Sequence, residues 1–236
     1  MAEIVLDHVT KKIRGSTVVD DISISFAPGV ISGLKGVNGS GKTMLMRLVS
    51  GLIYPTSGEV RIDGKVLGHG ITFPESIGVL IENPAFLGNY SGYENLEMLS
   101  SIRGLIDAAR IHEVLETVGL SENANKKYKK YSLGMKQRLG IAAAIMEKPD
   151  ILVLDEPTNA LDDSGVKLVH DIILSEKKRG AAVIISCHDF SLLRSVADVV
   201  YCLDNGKLTA QYTAKELSEK LKQEESLSLI HISEPT

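Results

Sequence analysis

VISGLKGVNGSGKTMLMRL, residues 30–48, joins three patterns that belong to one structural unit. Val30–Leu34 is a short apolar run of strand type, Met44-Leu45-Met46-Arg47-Leu48 opens a helical pattern, and Gly36–Thr43 between them fits G-x-x-x-x-G-K-[ST]. Gly36, Gly39 and Gly41 let the backbone turn so that loop amides, those of Val37, Asn38 and Ser40 among them, face one point. The helix N-terminus adds its partial positive charge beneath that point, which suits phosphate. Lys42 is expected to reach the β- and γ-phosphates. Thr43 is expected to offer its hydroxyl to Mg²⁺, a cation that keeps a nearly octahedral oxygen shell. A chance glycine-rich turn is the alternative, and the strand before and helix after argue against it.

Further along, Ile151–Leu154 and Ala182–Ser186 are near-continuously apolar, as parallel strands covered on both faces should be. ILVLDEPT, residues 151–158, ends its apolar run in Asp155 and Glu156. Successive strand side chains point to opposite faces, so the pair is expected to divide two roles. Asp155 would orient Mg²⁺, usually through water, and Glu156 would polarise the attacking water near the γ-phosphate as general base. The other reading of the pair is a helix N-cap with a neighbouring surface charge. His188 follows the third run, at the carboxyl end of a buried strand, where open parallel sheets bind ligands. It is expected to contact the γ-phosphate and its water, or else to be a loop histidine with ordinary partners.

Strand-like runs alternating with helical segments predict a mostly parallel sheet with crossover helices. Ile111, Val114, Leu115 and Val118 keep the spacing of a one-faced helix, and Gly119 stands where its C-terminal cap belongs. The first 30 residues and the stretch 58–68, with Asp63-Gly64 as a turn, read as a small antiparallel layer. Residues 84–148 are mostly helical and suggest a lobe inserted into the sheet domain. Lys126, Lys127, Lys129 and Lys130 around Tyr128 read as a solvated loop rather than a nucleic-acid contact. The tail 219–236 loses all pattern, and SLSLIHISEPT at its end looks like read-through of adapter sequence, so it is left out of the fold.

The chain has 236 residues, enough for one large α/β domain with a sizeable core. With 44% apolar and 24% charged residues it matches neither a disordered nor a fibrous protein. The net charge of -4 argues against a surface built to neutralise nucleic acid. No apolar run is long enough to span a membrane, and the acidic start lacks the basic end of a signal peptide. Cys187 and Cys202 are too few for a disulfide framework, so reduced thiols are expected.

YSLGMKQRLGIA, residues 131–142, lies just ahead of the Asp155 strand and resembles the signature of the ATP-binding cassette (ABC) transporters' nucleotide-binding subunits. The similarity covers roughly residues 3–215, with the phosphate loop, signature, acid pair, NALD at 159–162 and His188 in the family's order. It implies an α/β, P-loop NTPase (RecA-like) domain over residues 1–218, an ATP hydrolase using ATP and Mg²⁺. By resemblance, Ser132 and Gly134 reach across a head-to-tail dimer to the γ-phosphate held by the other subunit, and Asp162 matches the D-loop. Leu133 and Met135 replace the usual signature residues. Glu82 stands where most members have a glutamine that serves the metal shell, and together with NYSGYENL it resembles the bacitracin and lantibiotic exporters. Ile13 occupies the place of the aromatic that stacks on adenine, so weaker apolar contact is expected there.

The resemblance further implies a second nucleotide-binding subunit, a homodimer if it is another copy, and separately encoded transmembrane permease subunits. These would be gripped near Glu82–Tyr93, with the chain peripheral on the cytoplasmic face of the membrane. A soluble ABC ATPase acting as a scaffold is the competing reading, disfavoured by a single set of motifs without coiled coils. A regulator without turnover is disfavoured because Lys42, Asp155, Glu156 and His188 are all present.

Overall fold

A computed structural model describes residues 2–187, 190–213, 215, 216 and 219. His188 and nearly all of the tail 219–236 lie outside the described residues. The central sheet has the order β10-β9-β3-β8-β7-β6. Its strands are β3 (Ile31–Lys35), β6 (Ile77–Leu80), β7 (Ile151–Asp155), β8 (Ala182–Ser186), β9 (Val199–Asp204) and β10 (Lys207–Thr213). All neighbours pair in parallel except β9 with β10, which form an antiparallel hairpin. Every residue of β7 and β8 is buried, which explains why both sequences are continuous apolar runs rather than alternating ones.

A second, antiparallel sheet has the order β2-β1-β4-β5, from β1 (Ile4–Ile13), β2 (Ser16–Phe26), β4 (Ser57–Ile62) and β5 (Lys65–Val66). The expected antiparallel layer is therefore present, with Asp63 and Gly64 at positive φ in the β4–β5 turn. The hairpin β9–β10 is not among the elements expected from the sequence. Its signal is Asn205-Gly206, both at positive φ, the pair that a tight two-residue turn demands.

Side-chain alternation along β7 divides the interior in two. Ile151 and Val153 pack with the antiparallel layer and α1 (Lys42–Val49), while Leu152 and Leu154 pack with helices on the other face. Those helices include α2 (Gly92–Arg103), α3 (Ala108–Thr117), α4 (Leu133–Ile145) and α5 (Asp163–Arg179). α6 spans Phe190–Val196. α3 follows the Asp107 cap and ends at Thr117, with Val118 as its C-cap and Gly119 next at φ 68, as its sequence requires. α2 starts with a capping box, Ser91 and Glu94 each accepting the other's amide.

α2 to α4 fall within 84–148, where the helical segment is expected. Between α3 and α4 the four lysines are exposed around Tyr128, which is buried and donates its hydroxyl to the Pro84 carbonyl at 2.6 Å. The tyrosine anchors the loop and the lysines stay solvated. Cys187 and Cys202 form no disulfide. Among the described residues no helix is long and apolar enough to cross a membrane.

Candidate functional site

Gly41 stands at the cap position before α1, with a left-handed φ of 106 and no side chain to cap the helix. The amides of the first turn are thus left without a side-chain partner from the cap. Gly39 also has positive φ, whereas Gly36 is required for space, since a Cβ there would run into the Leu203 carbonyl and the Ser40 hydroxyl. A Cβ on Gly41 would lie 2.8 Å from the Val18 carbonyl. The β9–β10 turn braces the loop from behind, the Gly206 amide donating to the Ser40 carbonyl at 3.0 Å. Lys42 folds back across the loop, its buried ammonium donating to the carbonyls of Gly36 at 2.7 Å and Val37 at 3.2 Å.

Asp155, the last residue of β7, continues the alternation of Ile151 and Val153 and so turns toward α1. There Thr43 Oγ1 donates to Asp155 Oδ2 at 2.8 Å. Ser186, at the end of β8 and in register with Asp155, donates its hydroxyl to the other carboxylate oxygen. Asp155 is buried, so these donors are what make a carboxylate tolerable there.

Strand alternation does not place Glu156, contrary to the sequence reading of the two acids. The strand has ended, and Glu156 sits at φ 50, a left-handed residue that redirects the chain. Its amide donates to Ser186 O and Oγ, both at 3.2 Å, and its carbonyl accepts from Gln137 Nε2 of α4 at 3.1 Å. Neither acid caps a helix. α5 is capped by Asp162 instead, which accepts from the Gly165 amide at 2.9 Å.

Val18, residues 38–44, Asp155 and Glu156 line one cavity of about 270 Å³. The structure thus brings together Asn38, Gly39, Ser40, Gly41, Lys42, Thr43, Asp155 and Glu156, with Gly36 and Val37 serving as acceptors for Lys42. A larger surface depression beside α3, lined by Leu105, Arg110 and Met146 among others, has neither a phosphate loop nor acids at strand ends. Ile13 is the last residue of β1 and Glu82 follows β6 by two residues, and neither lines the loop cavity. Glu82, at φ 60, accepts from Arg47 Nη2 at 2.6 Å.

Ser132, Gly134 and Asp162 also lie outside the cavity, and they meet one another's elements on a second surface. Ser132 caps α4 by accepting from the Met135 amide at 3.2 Å, and Leu133 beside it is 71% exposed. A Cβ on Gly134 would lie 2.9 Å from the Ala160 carbonyl, so the glycine lets α4 start against the NALD turn. Arg138 Nη2 reaches Asp162 at 3.3 Å. The Gly165 amide, the Ser164 hydroxyl and Arg138 together hold the Asp162 carboxyl below the usual range.

Sequence reading missed Val18, Gln137, Ser186 and Arg47 as site neighbours. Ser186 alone left a trace, as a polar residue closing an apolar run.

A family model described as ABC transporter matches residues 19–159. The chain is 49% identical over 214 residues to the uncharacterized ABC transporter ATP-binding protein YybJ of Bacillus subtilis (strain 168), covering 91% of this chain and 95% of that protein. It is 39% identical over 216 residues to the bacitracin transport ATP-binding protein BcrA of Enterococcus faecalis, with coverage of 91% and 70%. The lantibiotic transport ATP-binding protein SrtF of Streptococcus pyogenes is 33% identical over 218 residues, with coverage of 92% and 94%. Among solved structures, an ATP-binding subunit of an ABC transporter superposes with TM-score 0.84 at 23% identity, covering 93% of each chain. A dimeric post-hydrolysis cassette bound to ADP and Pi superposes with TM-score 0.78 at 24% identity, covering 89% of this chain and 98% of that one. At those identities the structural likeness carries the fold alone.

Proposed function

The chain belongs to the ABC transporter family of ATP-binding subunits, and from that premise we propose that it hydrolyses ATP to drive a membrane exporter of antimicrobial peptides or drugs. The names of the bacitracin and lantibiotic relatives support the cargo class. The observation that carries the proposal is the contact between Thr43 and Asp155 at 2.8 Å, which joins a phosphate loop to an acid pair in one cavity. A hydroxyl and a carboxylate at that separation are hard oxygen donors suited to Mg²⁺. When bound, that ion supplies charge neutralisation on the transferred phosphoryl group. Thr43 and Asp155 are assigned to hold it, Asp155 through water. Glu82, held by Arg47 outside the cavity, is assigned only to the rim of its water shell.

The loop amides and the α1 N-terminus orient the β- and γ-phosphates. Lys42 exchanges its two carbonyl acceptors for phosphate oxygens. Glu156 accepts a proton from the water that attacks the γ-phosphorus, and the bond to the β-phosphate oxygen breaks, leaving ADP and phosphate. His188 is assigned to the γ-phosphate and its water. Ile13 is assigned to the adenine, in apolar contact.

Ser132, Gly134 and Asp162 stand away from the cavity of their own chain, which fits a site completed by a second copy facing head to tail. The Ser132 hydroxyl accepts from Met135 and still has its proton to donate to a phosphate, so the cap and the proposed contact in the partner are compatible. ATP then closes the pair because both halves bind its γ-phosphate, and hydrolysis releases them. Separately encoded permease subunits, contacted near Glu82–Tyr93, place the chain on the cytoplasmic face of the membrane. Glu156→Gln is expected to abolish turnover and leave an ATP-bound dimer. Unchanged hydrolysis in that variant contradicts the assignment of the base.

A further inference from the structure

We infer that Arg47 is a positioning residue for Glu82, the charge partner that allows a third carboxylate to stand beside the phosphate site. The inference rests on the reading that the loop and acid pair hold a nucleotide. β6 and β7 run in parallel with Leu80 opposite Leu154, so Ile81 and Glu82 leave their strand end beside Asp155 and Glu156. Adjacent strand ends thus gather Glu82, Asp155 and Glu156 next to the place proposed for a polyphosphate. Each further negative charge there opposes the ligand.

Two α1 side chains answer that charge in matching fashion. Thr43 and Arg47 are four residues apart in α1 and lie on one face, one turn above the other. Thr43 bonds the acid at the end of β7 at 2.8 Å, and Arg47 bonds the acid following β6 at 2.6 Å. Lys42, the other cation of α1, donates to the loop carbonyls and makes no ion pair with Glu82. Glu82 also holds φ 60, a conformation uncommon for a glutamate. The side chains are 31% exposed for Arg47 and 60% for Glu82, so water and salt reach the pair. Arg47 acts on the nucleotide through Glu82 and has no contact with it in this assignment.

The test is a double-mutant cycle on the full chain with Arg47→Met, Glu82→Gln and the pair combined, read as affinity for a fluorescent ADP. Binding is measured in EDTA, so any part of Glu82 in a metal's water shell drops out, and thermal melting checks that each variant is folded. At low salt Arg47→Met is expected to weaken binding about five- to tenfold, because Glu82 is left without its cation. Glu82→Gln is expected to tighten binding about two- to threefold, and the double variant to bind as Glu82→Gln does. Arg47→Lys is expected to recover affinity to within about twofold, and the Arg47→Met loss to shrink in about 0.5 M salt. Arg47→Gln carries the same test if Arg47→Met does not fold. Equal losses on both backgrounds, or no loss on either, overturn the inference while leaving the nucleotide site standing. No ADP binding by the unmutated chain overturns both.

Discussion

Two buried serines on adjacent strands form an internal control, because one hydroxyl is bonded and the other is not. Ser186 on β8 is fully buried, donates to Asp155 and accepts from the Glu156 amide at 3.2 Å. Ser32 on the neighbouring β3 is 1% exposed, and its hydroxyl makes no hydrogen bond among the described residues. Ser186→Ala removes a bond to a charged acceptor, worth about 1.5–3 kcal/mol, together with a share of the Glu156 amide bond, which also reaches the Ser186 carbonyl. A loss of about 2–3 kcal/mol of stability follows. Ser32→Ala removes a hydroxyl buried without compensation and is expected to be neutral or to stabilise by about 1 kcal/mol. The assay is urea unfolding of both variants without nucleotide, with ATP turnover measured alongside. Ser186→Ala also loosens both acids at once, so its kcat is expected to fall about tenfold while Ser32→Ala retains turnover. Equal effects of the two substitutions on stability refute the reasoning, since the chemical change is the same and only the partners differ.

Ile13→Tyr is expected to tighten ATP binding by offering a ring to adenine, measured by titration calorimetry, and equal affinities contradict the assignment of Ile13 to the base. Asp162 has a folded pKa held below its unfolded value, so its contribution to stability is present above the usual aspartate range and is lost as pH falls through the depressed value. Asp162→Asn keeps a capping oxygen for α5 and is expected to flatten the acid limb of stability against pH, followed by thermal melting, and an unchanged limb contradicts the cause assigned to the shift.

What the sequence made legible was carried by contiguous pattern. β7, β8, α3 and the phosphate loop each declare themselves within a dozen residues, through continuous burial, helical spacing or required glycines. Ser186 meets Asp155 because β7 and β8 lie side by side, and Gln137 and Arg47 reach Glu156 and Glu82 from α4 and α1, a neighbourhood that no local window contains. Glu156 misled the alternation argument for a related reason. Strand rules end with the strand, and its left-handed φ is stabilised by bonds from β8 and α4 rather than by its neighbours in sequence. Within one chain Ser132 is a helix cap, and its proposed phosphate contact forms only with a second chain.

The central claim is a site shared between copies, and mixing two inactive variants tests it most directly. Lys42→Ala damages the phosphate loop, and Ser132→Arg damages the surface proposed to complete the partner's site. Each variant alone is expected to be inactive. In a mixed dimer one of the two sites pairs an intact loop with an intact Ser132, so with random pairing an equimolar mixture is expected to recover about one quarter of the unmutated turnover. No recovery on mixing, with both variants folded and binding in dimers, contradicts the shared site, as does full turnover by Ser132→Arg alone.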